Sequence, residues 1–77
     1  MDEIRRVALV TGAGSGIGRA VAIGLSDDGF DVVLAGRRVE SLEETAQSLA
    51  NASLVVPTDV REVAAVDALF AAAESRF

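Results

Sequence analysis

Four glycines fall within seven positions, Gly12, Gly14, Gly16 and Gly18 of TGAGSGIG, directly after an apolar run and directly before a helical pattern. Each one costs conformational entropy, so the spacing must serve something. A plain tight connection accounts for one or two glycines and makes no demand on their spacing. A phosphate cradle accounts for more: main-chain N–H groups at a helix start face an anion, and the missing side chains let a diphosphate come close. The spacing then discriminates among cradles. G-x-x-x-x-G-K-[ST] requires a lysine, and all 7 basic residues of this chain are arginines. No register of the four glycines satisfies G-x-G-x-x-G. The pattern T-G-x-x-x-G-x-G does fit, through Thr11, Gly12, Gly16 and Gly18.

A second constellation closes the next apolar run, DVVLA, which continues as GRR. In dinucleotide folds an acidic residue about 20 positions past the glycines takes the ribose hydroxyls of NAD. Gly36 stands there instead, followed by Arg37 and Arg38. A carboxylate would repel a 2′-phosphate, whereas a guanidinium can grip one bidentately, so the sequence favours NADP(H) over NAD(H). The alternative is a pair of solvated surface charges. The helix dipole argues against it, since cations in a first helical turn are unfavourable by about 0.3–1 kcal/mol. Arg19, just past the glycines, is a weaker phosphate candidate that could equally point outward.

These residues need elements to hold them. Val7 to Thr11 reads as a strand buried on both faces. Ile17, Ala20, Val21, Gly24 and Leu25 recur at helical spacing, and Gly29 suits the left-handed position after the helix end. Asp31 to Ala35 reads as a second strand. Val39, Leu42, Ala46 and Leu49 line one face of a second helix whose other face carries Glu40, Glu43, Glu44 and Gln47. Leu54 to Pro57 is a third strand, and Val63, Val66, Leu69, Phe70, Ala73 and Phe77 mark a third helix. A β-α-β-α-β-α order implies a parallel sheet, here of order 3-2-1. Right-handed crossovers place the first two helices on one face and send the third toward the other. The first strand then forms a sheet edge, whose unpaired backbone groups invite aggregation.

The bulk numbers agree with an α/β domain. The chain has 77 residues, 51% of them hydrophobic, with 7 basic and 12 acidic side chains and a net charge of −5. That balance argues against general nucleic-acid or anionic-membrane binding. Cysteine and histidine are both absent, which removes disulfides, thiolate chemistry and the commonest neutral-pH base and metal ligand. MDEIRR lacks the apolar core of a signal peptide, and no apolar run is long enough to span a bilayer, so a cytoplasmic protein is expected.

TGAGSGIG after VALV resembles the cofactor signature of the short-chain dehydrogenase/reductase family, and the resemblance extends from the first strand through the third helix. It implies a Rossmann-like, doubly wound parallel sheet in three α/β/α layers, of which residues 1–77 are the N-terminal, nucleotide-binding portion. By the same resemblance Gly12 permits the tight turn, Gly16 and Ile17 approach the pyrophosphate through their backbone, and Gly18 lets the helix pack close. Ser15 offers a hydroxyl to a phosphate or serves as a helix N-cap. In PTDV, the resemblance sets Asp59 against the exocyclic amine of adenine and Val60 against its ring. Asp59 and Glu62 also have capping-box spacing, and one carboxylate could serve both roles.

The family's chemistry rests on a Tyr, a Lys four residues later, a Ser and an Asn. This chain has neither Tyr nor Lys, its lone asparagine, Asn51, fits no part of that pattern, and no other side chain offers a suitable proton donor. The expectation is therefore a piece of an NADP(H)-dependent carbonyl reductase or alcohol dehydrogenase that is inactive alone. Its parent would be homo-oligomeric, act on a small carbonyl or alcohol, and supply the catalytic groups from other segments. The alternatives are a stand-alone, non-catalytic nucleotide-binding module and an inactive fragment.

Overall fold

Short apolar runs separated by longer amphipathic ones fold as the alternation expected. A computed structural model describes residues 6–77; residues 1–5, which hold most of MDEIRR, lie outside the described residues. The elements are β1 (Val7–Thr11), α1 (Gly16–Asp27), β2 (Asp31–Gly36), α2 (Val39–Gln47), β3 (Ser53–Pro57) and α3 (Val63–Arg76). The sheet is parallel with order β1-β2-β3. Val7 lies opposite Asp31 and Thr11 opposite Ala35, while Val32 lies opposite Ser53 and Gly36 opposite Pro57.

β2 is the centre of the molecule in every sense, hydrogen-bonded along both edges and buried from Asp31 to Ala35. Successive strand side chains point to opposite faces, so one five-residue run feeds two cores. Val32 and Leu34 join Val10, Ala22 and Leu42 beneath α1 and α2. Val33 and Ala35 pack with Leu69 beneath α3. The first two helices thus share one face and the third covers the other, giving the three-layer, Rossmann-like arrangement.

The helix faces differ from their expected composition. Ile17 is 85% exposed, and Ala20 and Val21 are also exposed. The inward stripe of α1 instead carries Ala22 and Ser26, flanked by the partly buried Gly18 and Leu25. Small residues let α1 sit close to the β1 backbone, and closeness rather than side-chain bulk decides which stripe turns inward. On α3, Val63 and Phe70 face water while Leu69 alone is fully buried, because Leu69 is the residue that meets Val33 and Ala35. On α2, Val39 is exposed and Thr45 takes a fully buried place beside Leu42.

Asn51 has a purely architectural role. Its side-chain amide donates to the carbonyls of Gly29 and Phe30 and to the Asp31 carboxylate, at 3.0–3.1 Å. Its main-chain N–H donates to the Ser26 hydroxyl at 2.8 Å. The turn before β3 is thereby tied to the turn before β2.

Candidate functional site

The chain leaves β1 through a bend that only glycine suits at two points. Gly12 and Gly16 hold φ of +64° and +58°, in the left-handed region that penalises any Cβ. Gly18 faces a different constraint. A Cβ there would overlap the carbonyl oxygen of Gly12 and stand 2.7 Å from its carbonyl carbon. The helix start is therefore pressed against the loop backbone, not merely near the sheet.

That packing leaves donors free. Among the described residues no carbonyl accepts from the N–H groups of Gly16 or Ile17, as expected for a first helical turn; the earliest α1 bond runs from Arg19 N–H to Ser15 O at 3.4 Å. Ala13, by contrast, spends its N–H on Ala35 O, which fastens the loop to the end of β2. Ser15 occupies the N-cap position with extended φ and ψ, yet its hydroxyl makes no capping bond.

A cavity of about 350 Å³ opens beside this bend. Gly12, Gly14 and Ser15 wall it from the loop, Gly36, Arg37 and Arg38 from the end of β2, and Thr58 and Val60 from beyond β3. Strand ends at one rim of a parallel sheet are where open α/β folds take ligands. Arg38 is the N-cap residue of α2 and, like Arg37, is exposed; no side chain caps the helix there. Two guanidinium groups thus stand at a helix start with uncapped donors. Gly36 leaves no polar side chain between them and the cavity, and a Cβ at Gly36 would sit 3.2 Å from the tip of Leu42.

Of the nine sequence candidates, Gly12, Ser15, Arg37, Arg38 and Val60 line the cavity together. Gly16 and Ile17 start α1, Gly18 braces the bend from behind, and Asp59 lies outside the wall. Ser41 and Thr58 also line the cavity and were not anticipated. Thr58 is buried and stands next to the singled-out Asp59, which was a usable signal; nothing in VESL marked Ser41. Arg19 neither points outward nor faces the cavity, and its side chain runs to α2.

Asp59 forms no capping box. The N-cap of α3 is Glu62, again without a side-chain cap, and Asp59 reaches that residue only through its own carbonyl. Its carboxylate accepts from Nε, Nη2 and the main-chain N–H of Arg61 at 2.9–3.0 Å. The Arg61 side-chain bonds, helped by its main-chain bond and by the charges of Arg61 and Arg37, hold the Asp59 carboxyl at about 2, below its ordinary value of 3.8. A lowered folded value means that the pairing contributes above the unfolded value and is lost as pH falls through about 2. A carboxyl NMR titration should place the Asp59 midpoint near 2, and Arg61→Ala should bring it back toward 3.8. A midpoint near 3.8 in the unaltered chain would remove the pairing.

A family model described as short chain dehydrogenase matches residues 6–77. The chain belongs to the short-chain dehydrogenase/reductase family of oxidoreductases. It is similar to an uncharacterized oxidoreductase of Staphylococcus aureus strain USA300, with 51% identity over 73 residues, covering 94% of this chain and 32% of the relative. The chain thus spans about a third of the length of the curated relatives it matches. Its fold is similar to that of the L-sorbose reductase of Gluconobacter frateurii, solved with NADPH and L-sorbose: TM-score 0.89, 38% identity, covering 95% of this chain and 29% of that one. It is also similar to the 3-ketoacyl-(acyl-carrier-protein) reductase of Brucella melitensis, solved with NADH: TM-score 0.87, 39% identity, covering 92% and 29%. Among the described residues no three acidic side chains are grouped to hold a metal, and no helix is long and apolar enough to cross a membrane.

Proposed function

We propose that residues 1–77 form the nucleotide-binding portion of an NADP(H)-dependent carbonyl reductase or alcohol dehydrogenase. The observation that carries this reading is the shared wall: the glycine bend and the Arg37–Arg38 pair border one cavity, with no carboxylate among the residues lining it. The nucleotide fits these residues, since a Cβ at Gly18 would close the bend and the first-turn N–H groups are unengaged. Gly12 and Gly16 shape the bend, Gly16 and Ile17 offer main-chain N–H groups to the pyrophosphate, and Ser15 offers its uncommitted hydroxyl. Arg37 takes the 2′-phosphate with Arg38 beside it, Val60 borders the adenine, and Asp59 accepts from the exocyclic amine while paired to Arg61.

When bound, the nicotinamide supplies or takes up a hydride. The proton has no donor here, because the chain contains neither Tyr nor Lys. Other segments of a longer, cytoplasmic, homo-oligomeric parent would supply that donor and the pocket for a small carbonyl or alcohol. The relatives' length supports this placement. The two reductases solved with NADPH and with NADH support the nucleotide class and leave the preference between the two to Arg37. A stand-alone module would bind equally well but lack turnover in its native form.

Fluorescence titration of the chain with NADPH and NADH tests the reading. Saturable binding of both, tighter for NADPH, is the expected result. Absence of binding to either, by a chain whose circular dichroism shows it folded, would overturn it.

A further inference from the structure

Gly14 is the glycine that T-G-x-x-x-G-x-G leaves without a task, and Arg19 is an arginine next to that motif that does not line the cavity. They meet. The Arg19 guanidinium donates through Nη2 to the carbonyl of Gly14 at 2.7 Å and more weakly to that of Ser41 at 3.4 Å. Its Nε donates to the Thr45 hydroxyl at 2.9 Å, and that hydroxyl donates onward to the carbonyl of Ala13 at 2.8 Å, with Ser41 O a second acceptor at 3.2 Å. Thr45 is fully buried, so its bond to the Ala13 carbonyl is shielded from competing water. At the same seam a Cβ on Gly14 would come within 2.8 Å of Ser41 Cβ, so the loop and the first turns of α2 touch there.

We infer that Arg19 and Thr45 are positioning residues that lock the glycine loop to α2, so that the diphosphate and 2′-phosphate seats are held in fixed relation. The inference rests on the nucleotide reading above and extends it. Peptide planarity supplies the mechanism. In a trans peptide the C=O of one residue and the N–H of the next point in opposite directions. Holding the Ala13 and Gly14 carbonyls toward Thr45 and Arg19 therefore turns the Gly14 and Ser15 N–H groups away from α2. Both residues line the cavity. The same guanidinium reaches Ser41, three residues past Arg38, and so registers the arginine-bearing start of α2 against the loop.

The geometry depends on a planar fork, which separates it from a simple charge effect. Lysine keeps the charge but presents a compact ammonium that cannot span the Thr45 hydroxyl and the Gly14 carbonyl in the same way. The test is a titration of the chain and of Arg19→Gln, Arg19→Lys and Thr45→Val with NADPH and NADH, well below each melting temperature. The clamp predicts that all three variants lose affinity for both nucleotides, about tenfold for NADPH. It also predicts a fall in the NADPH-to-NADH affinity ratio, since Arg37 and Arg38 lose register with the loop. Gly14→Ala, which wedges the seam from the other side, should lower the ratio similarly and serves if the Arg19 variants do not fold. Variants that melt earlier but keep both affinities and their ratio would overturn the clamp, as would full rescue by lysine. An unaltered chain that is folded and binds neither nucleotide would instead remove the nucleotide reading on which the clamp rests.

Discussion

Arg37→Asp should weaken NADPH binding far more than NADH binding, given the 2′-phosphate seat proposed above. The substitution removes a charge-assisted contact worth about 1.5–3 kcal/mol, a ten- to hundredfold loss, and adds a carboxylate facing a dianion. NADH, which has no 2′-phosphate, should change far less. Isothermal titration with both nucleotides measures the contrast, and equal losses for the two would remove Arg37 from the phosphate seat. A second readout needs no ligand. Arg37 is one of the charges that depress the Asp59 carboxyl, so its reversal should raise the Asp59 midpoint above about 2. That shift checks the Arg37 charge at the rim, and an unchanged cooperative melt separates a lost contact from a lost fold.

Gly18→Ala should be the most damaging single methyl in the chain. Most overpacked sites relieve themselves by turning a side chain, at a cost of about 1–3 kcal/mol. Here the atoms in the way are the Gly12 carbonyl and the Ala13 Cα, all backbone. Relief requires α1 to lift from the loop, which disturbs the bend and the packing of Ala22 together. Domains with a total stability of about 5–15 kcal/mol have little to spare for this. The expected result is a large fall in melting temperature, or loss of cooperative melting, with loss of NADPH binding. Gly24→Ala is the control on the same helix. Nothing lies within 4 Å of a Cβ there, and alanine in a helix interior should stabilise by about 1 kcal/mol. A Gly18→Ala chain that melts and binds like the unaltered one would refute the close approach.

Those two glycines also show what sequence reasoning can and cannot reach. Strand existence was legible because β1, β2 and β3 are short apolar runs between turn residues, and a parallel order follows from helical crossovers between them. The helix faces were less legible. Periodicity located α1 but named the stripe of Ile17 and Val21, because pattern rules weigh apolar bulk and the actual contact selects for smallness. The cavity wall followed the same division. Gly12, Arg37, Arg38 and Val60 announce themselves by type and position. Ser41 does not, since a serine on a polar helix looks the same in sequence whether it faces open water or a cavity. Asp59 had one candidate role by spacing and another by resemblance, and Arg61, two residues on, pairs with its carboxylate in a contact that neither considered.

The placement of β2 has a consequence for the energetics of recognition. Gly36 and Arg37 emerge from a strand that is paired along both edges and covered on both faces, and Thr58 N–H fastens to Gly36 O at 2.6 Å just where the strand ends. The backbone of this rim is thus fixed by folding itself. For the nucleotide proposed above, backbone ordering entropy would oppose association little, so the side chains of residues 36 to 38 are where affinity could be retuned without redesigning the scaffold.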